Sequence, residues 1–116
     1  GYNFATEIYA SFSTEDWVAR RILSETEFSF TLDRKTGVFS VKDTSGRKVD
    51  FSLTGKANEL RAQNATLITE EKRSTMIMEG ENDGLGVRVL ISNLRGEIRN
   101  DQPWITSVQM LVLIKN

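Results

Sequence analysis

From Glu27 onward, apolar and polar residues alternate along much of the chain, and this period of two is typical of strands with one buried face. Phe28, Phe30 and Leu32 share one side of the first alternating segment. Two further segments repeat the pattern, with apolar positions at Val38, Phe39 and Val41, and then at Val49, Phe51 and Leu53. The pattern predicts three consecutive antiparallel strands.

Clusters of Asp, Asn, Ser and Gly separate the alternating segments and predict turns at residues 33–37, 43–46 and 81–86. Gly37 is suited to the left-handed conformation that a bulged hairpin requires. Interruptions at Ser92 and Asn93 and at residues 100–103 divide the last long stretch. Further strands are predicted at residues 2–12, 66–70, 74–79, 87–98 and 104–114, and residues 56–64 fit either a helical turn or an irregular loop.

Residues 14–24 do not alternate cleanly, because Arg20 interrupts one parity and Arg21 the other. Hydroxyl and acidic residues at 13–16 are typical of a helix start. Val18, Ile22 and their neighbours then fall on one stripe at helical spacing. We therefore expect one short helix near residues 14–24.

The C-terminal strands carry apolar residues on both parities, unlike the strands before them. A strand buried on both faces must be covered by a helix, a second sheet or another subunit. The helix at 14–24 is one candidate cover, and a second copy of the chain is another. The residues expected in such a subunit interface are Ile77, Leu90, Leu111 and Leu113.

Composition excludes several kinds of chemistry. The chain has no Cys and no His, so it has no thiolate, no cysteine or histidine metal ligand and no His-based catalytic triad. Its net charge of −1 has interspersed signs, which argues against nucleic acid as a partner. No apolar run approaches the ~20 residues that span a bilayer, so membrane insertion is not expected. We predict no enzyme activity, no cofactor and no metal.

The aromatic residues suggest a ligand cavity, as in barrels with a hollow interior. The predicted lining is Phe28, Phe30, Phe39, Phe51, Trp17 and Trp104. The alternative is that these rings simply fill the core. Other candidates have simpler explanations: Glu79, Glu81 and Asp83 as a solvated acidic turn rather than a calcium loop, and Arg95, Glu97 and Arg99 as a solvent-facing charged ladder rather than an anion site.

The short antiparallel strands and Asp/Gly turns resemble, in style, small lipocalin-like barrels and secreted β-sandwiches. We expect a single β-rich domain over residues 1–116, built as an antiparallel meander. A lipocalin-like or partly open barrel is the first choice of fold, and a two-sheet β-sandwich is the alternative. Gly1 in place of Met fits a cleaved signal peptide, an excised domain or the remnant of a tag, and of these we favour the signal peptide and expect a secreted, periplasmic or cell-surface protein.

The expected function is a non-enzymatic binding or interaction module that holds a small apolar ligand or a protein partner. The alternative is an assembly protein that forms homo-oligomers through its C-terminal strands. A hydrolase that uses carboxylates alone is the remote third possibility.

Overall fold

The computed structural model describes residues 1–11, 16–53 and 76–115, which form eight strands in two antiparallel sheets. The strands are β1 (Tyr2–Ser11), β2 (Asp16–Leu23), β3 (Thr26–Asp33), β4 (Val38–Asp43), β5 (Lys48–Ser52), β6 (Met76–Asn82), β7 (Leu85–Arg99) and β8 (Gln102–Lys115). The prediction of a mainly β protein is confirmed. The predicted strand at 66–70 and the segment 56–64 lie outside the described residues.

The first sheet has the strand order β1-β8-β7-β6, and the second has the order β2-β3-β4-β5. Neighbouring strands are consecutive along the chain, except that β1 pairs with β8. The described residues form two separate hydrogen-bonded sheets rather than a closed barrel, and this arrangement matches the two-sheet alternative. The predicted meander is present as β3, β4 and β5.

Both sheets contribute their inner faces to one hydrophobic core. The alternation places every second side chain inside, and the Phe side chains of the second sheet meet the Val and Ile side chains of the first. The largest fully buried side chains are Phe30, Phe39, Leu32, Leu53, Leu85, Ile91, Val41, Val87, Val89, Val108 and Val112.

The helix expected at 14–24 is corrected by the structure, because residues 16–23 form strand β2. Trp17, Ala19 and Leu23 pack partly buried against the core. Arg21 shares their parity, but β2 is an edge strand, so this long side chain escapes to solvent. Arg21 therefore occupies an inward position of the strand with a charged side chain, and this interrupted the alternation and made the segment resemble a helix.

The predicted turns occur where the sequence places them. Gly37 has a φ of 75° and its N–H donates to the Asp33 carbonyl at 2.6 Å. The backbone N–H of Gly46 likewise donates to the Asp43 carbonyl at 3.1 Å. Residues 81–86 contain the tight turn between β6 and β7, although its flanking residues belong to the strands.

The long hairpin of β7 and β8 continues past the ends of its neighbours. A pairing irregularity between Ser92 and Arg95, with Asn93 at a φ of 52°, lies at the predicted interruption. Beyond it, Gly96 pairs with Ile105 and Arg99 pairs with Gln102, which makes a two-stranded ribbon. The described part of the chain contains no helix that is long and apolar enough to cross a membrane.

Candidate functional site

The four Phe side chains predicted to line a cavity lie in the core. Phe30 and Phe39 are fully buried and their ring centroids lie 6.2 Å apart. Phe39 and Phe51 are 6.4 Å apart, and Phe28 is also buried. Neighbouring strands thus stack these rings against one another, which is the core-filling arrangement. The two depressions described below are lined by other residues.

The side chains predicted for a subunit interface lie together on the outer face of the first sheet. Ile77 is paired with Leu90, and Leu90 is paired with Leu111 on the next strand. We call these three residues the apolar row. Ile77 is 62% exposed, and the two Leu side chains are half-buried. Leu113 lies in the adjacent row, opposite Arg88.

Polar contacts border the apolar row on both sides. Arg88 donates from Nε to Glu79 Oε1 at 2.5 Å, and its guanidinium carbon lies 4.2 Å from the centroid of the Tyr2 ring. On the other side, the Asn93 amide donates to Gln109. These groups already have partners, so the row is an apolar strip between satisfied polar contacts.

A shallow depression of about 610 Å³ lies beside the apolar row, where β1 approaches the edge strand β2. Leu90 and Leu111 contribute to its floor, and Glu7 and Arg21 contribute opposite charges. Tyr9, which is 61% exposed, also lines it. The outer face of the first sheet is thus uneven, and polar and charged side chains flank its apolar row.

A second depression, of about 570 Å³, lies at one end of the molecule between the β3–β4 turn and the β7–β8 ribbon. We call it the end cleft. A backbone hydrogen bond of 3.0 Å, from Ile105 N–H to the Arg34 carbonyl, joins its two walls. Its lining residues are Asp33, Arg34, Lys35, Arg99, Asn100, Gln102 and Trp104.

Trp104 is the aromatic residue of the end cleft, and two guanidinium groups contact it. The guanidinium carbons of Arg34 and Arg99 lie 4.7 Å and 4.5 Å from the indole centroid. Trp17, the other predicted lining residue, lies on β2 and is not part of the cleft. Sequence reasoning assigned Trp104 to a ligand site but missed Arg34 and Lys35, which lie about 70 residues away from it along the chain.

Asp43 is a buried carboxylate with a structural role in the β4–β5 turn. Burial raises the pKa of this carboxyl, but hydrogen bonds from Ser45 and Arg47 and the charge of Arg47 outweigh that effect, so the net pKa lies below 3.8. Arg47 Nε donates to Asp43 Oδ2 at 2.6 Å. Among the described residues, the side-chain hydrogen bonds of Asp43 all go to its own turn, so this carboxylate stabilises the turn.

Of the three acidic residues considered for a calcium loop, Glu79 and Glu81 form ion pairs, and Asp83 lies in the β6–β7 turn with a φ of 51°. Glu79 pairs with Arg88, and Glu81 lies 3.9 Å from the ammonium group of Lys115. Within residues 1–11, 16–53 and 76–115, no group of three or more Asp or Glu side chains is arranged to hold a metal ion. Comparisons of the chain with protein-family models, curated proteins and solved structures find no match.

Proposed function

We propose that this protein is a non-enzymatic interaction module that associates with a second copy of itself through the outer face of its first sheet. The observation that carries the proposal is the apolar row: Ile77, Leu90 and Leu111 are direct cross-strand partners on three adjacent strands. A contiguous apolar strip on an outer face costs solubility unless something covers it. A function in association accounts for that cost.

A second copy is the occupant that the row itself favours. In a two-fold symmetric interface, a residue on the axis meets its own copy. An apolar row on the axis is therefore self-complementary, whereas a row of like charges there would repel itself. A two-fold axis along this row places the two sides of the row opposite each other in the dimer. Tyr9 lies two residues beyond Glu7 on β1, so it approaches the side of the partner that carries Ala5 and Leu113.

Electrostatics does not oppose such a pairing. The net charge is −1, so two copies repel each other little. Arg88 is neutralised by Glu79 within the same chain and does not need a partner from outside. Glu7 pairs with Leu111 and continues the row, so it would approach its own copy across the axis, where Arg21, which lines the same depression, supplies opposite charge.

The test is the solution mass of the purified protein, measured by light scattering over a concentration series. The matched pair of variants is Ile77→Lys and Ile22→Lys. Both replace an exposed Ile on an edge strand, and Ile22 is 74% exposed on the other sheet. We expect a dimer for the unsubstituted chain and for Ile22→Lys, and a monomer for Ile77→Lys.

Two results would refute self-association. One is a monomeric mass for the unsubstituted chain that does not change with concentration. The other is a dimer that dissociates equally with either substitution, because that would place the interface elsewhere or make it a general effect of charge.

A second candidate function is the binding of a small apolar ligand in a partly open barrel. Its support is the strand order, which follows the chain through both sheets and returns from β8 to β1, as in up-and-down barrels. The sheet edges come close at both seams: Asn82 Nδ2 donates to the Lys48 carbonyl at 3.0 Å, and Arg21 shares a depression with Glu7. A ligand would separate the stacked rings of Phe30, Phe39 and Phe51.

Titration with a long-chain fatty acid, followed by NMR, distinguishes this candidate. Saturable shifts at Phe30, Phe39 and Phe51 in a monomeric protein would favour the barrel function. Shifts confined to the apolar row would favour the interaction function, because the fatty acid would then be covering the exposed strip.

A further inference from the structure

Two opposite charges lie at one end of the apolar row without ion-pair partners among the described residues. Glu7 continues the row on β1 as the cross-strand partner of Leu111, and Arg21 reaches the same depression from the edge strand β2. Both residues are exposed, and neither forms an ion pair with another residue of the described part of the chain. They differ in this respect from Glu79 and Arg88, which border the row and pair with each other.

The guanidinium group of Arg21 keeps most of its hydrogen-bond donors available. Its Nη1 donates to the Arg20 carbonyl at 2.8 Å, and this is the one hydrogen bond that the side chain makes to a described residue. Arginine carries its donors in a planar fork that can bind both oxygens of a carboxylate. Leu90 and Leu111 line the depression beside it, so an ion pair formed there would be less exposed to water than one on an open surface.

The two-fold association proposed above would bring these charges from two chains together. Each residue of the row then meets its own copy, so two Glu7 carboxylates approach each other at the axis. Two carboxylates that approach closely repel each other unless cations lie between them. Arg21 lines the depression beside Glu7 in each chain, so the half turn places it beside the partner's Glu7.

We propose that two reciprocal ion pairs hold the second copy in register, with Arg21 of each chain binding Glu7 of the other. The pairing rests on the proposed association through the apolar row and adds to it the residues that fix orientation. A surface that carries one acid and one base side by side is complementary to its own copy, whereas a partner of a single sign of charge would match only one of them. The row supplies apolar contact area, and the ion pairs supply specificity.

Charge reversal tests the pairing. In a dimer of identical chains, Glu7→Lys sets two cations against each other at each pair, and Arg21→Glu sets two anions against each other. We expect either substitution alone to weaken association by about a hundredfold. An equimolar mixture of the two variants should form a heterodimer, because the introduced lysine of one chain then faces the introduced glutamate of the other, and the remaining pair is the original one.

Two measurements report the result. Light scattering over a concentration series gives the dissociation constant of each variant alone. Native mass spectrometry, with one variant isotope-labelled, separates the heterodimer from both homodimers by mass. Because the heterodimer restores the ion pairs only between chains, its appearance distinguishes pairing across the interface from pairing within one chain.

The matched control is the exposed ion pair on the outer face of the second sheet. Arg20 Nε lies 3.9 Å from Glu27 Oε1. Arg20→Glu and Glu27→Lys make the same changes of charge on β2 and β3, and they should alter the dissociation constant by less than about twofold. Urea denaturation establishes that all four variants are folded.

The outcomes separate the ion pairs from the association itself. A dimer that keeps its affinity in Glu7→Lys and Arg21→Glu would overturn the ion pairs and leave the association through the apolar row standing. Variants that are monomeric both alone and in the mixture would also overturn the pairs, because the charges would then act within their own chain. An unsubstituted chain that is monomeric at all concentrations would overturn the association and the pairs with it.

Discussion

The two sheets have similar inner faces, but the central strands of their outer faces differ. On the first sheet, the apolar row of Ile77, Leu90 and Leu111 crosses three adjacent strands. On the second sheet, the corresponding strip holds Thr31, Ser40 and Asp50, which are also direct cross-strand partners and which we call the polar row. On the fourth strand of each sheet the character is reversed, because Val18 continues the polar row and Glu7 continues the apolar row. Ser40 Oγ donates to Asp50 Oδ1 at 2.6 Å, so the polar row satisfies its own polar groups.

The contrast separates the apolar residues that folding needs from those that we propose association uses. Both sheets need one apolar face for the shared core, and within its described strands the second sheet adds large exposed apolar side chains only at Val18 and Ile22 on its edge strand β2. The first sheet carries further apolar side chains in the apolar row on its outer face, where they do not pack in the shared core. The polar row therefore has the composition of ordinary solvent-exposed surface, whereas the apolar row is the strip that we propose as an interface.

The largest effect we expect comes from the inner face that the sheets share. Phe39→Ala removes a fully buried ring that stacks on both Phe30 and Phe51, and it should lower the free energy of unfolding by about 3–5 kcal/mol. Urea denaturation measures the change. Two single-tryptophan proteins report on the two sheets separately. Trp104→Phe leaves Trp17 on β2 as the fluorescent probe, and Trp17→Phe leaves Trp104 on β8.

Both fluorescence transitions should shift together, because the sheets share one core. Lys42→Ala, on the outer side of the same strand, should change stability by less than about 0.5 kcal/mol. Transitions that separate in Phe39→Ala would mean that each sheet is stable alone, and the comparison would then concern two independent units.

A smaller effect is expected at the seam between the sheets. A Cβ added at Gly80 on β6 would lie 2.8 Å from Val49 Cγ1 on β5. Gly80→Ala should therefore lower the free energy of unfolding by about 1–3 kcal/mol through overpacking. Val49→Ala in the same chain should recover part of that loss, and a double-mutant cycle measures the coupling. Strictly additive effects would show that the edges of β5 and β6 do not meet there.

How much of this could be predicted from the sequence depended on how local each signal was. Strands β3, β4 and β5 alternate cleanly, and their turns carry Asp and Gly at the required places, so both were predicted. The β2–β3 turn was missed, because Ser24 and Glu25 both adopt positive φ, a conformation usually signalled by Gly or Asn. With that turn unrecognised and Arg21 pointing inward, β2 was taken for a helix.

The sites differ in the same way. The interface candidates were identified because they are apolar at positions that alternate with the buried positions of their strands, which is a local pattern. These residues are Ile77, Leu90, Leu111 and Leu113. That three of them form one continuous row depends on strand register, which the pattern did not provide. The end cleft was beyond reach, since Arg34 and Trp104 meet only when a turn of one sheet is placed against a ribbon of the other.

The second sheet also carries the buried charges of the described residues, at Arg34 and Asp43. Asp43→Asn should lower the free energy of unfolding by about 1–3 kcal/mol at about pH 7, because the amide cannot pair with the charge of Arg47. The folded-state pKa of Asp43 is depressed, so its contribution is complete above the unfolded value and is lost as the pH falls through the lower folded value.

Urea denaturation of both proteins at several pH values measures this difference. The two stabilities should converge as the pH is lowered through the depressed folded-state pKa of Asp43, because its carboxylate is then protonated in both states. A difference that stays constant over this range would mean that the shape of the side chain, and not its charge, holds the β4–β5 turn.

The smallest effect is expected on the polar row. Ser40→Ala removes the hydrogen bond to Asp50 on an exposed face and should cost less than about 1 kcal/mol in a urea titration. The solution mass should not change. A loss of association on this substitution would reverse the roles that we assign to the two outer faces.

The most direct test of the central claim is the solvent exposure of methyl groups on the two outer faces, measured by NMR with a soluble gadolinium chelate. Ile77 and Ile22 are both exposed in the isolated chain, at 62% and 74%. We predict strong relaxation of the Ile22 methyls at all protein concentrations, and protection of the Ile77 and Leu90 methyls that increases with concentration. Equal relaxation of Ile77 and Ile22 at the highest concentration would contradict the claim that the first outer face is an association surface.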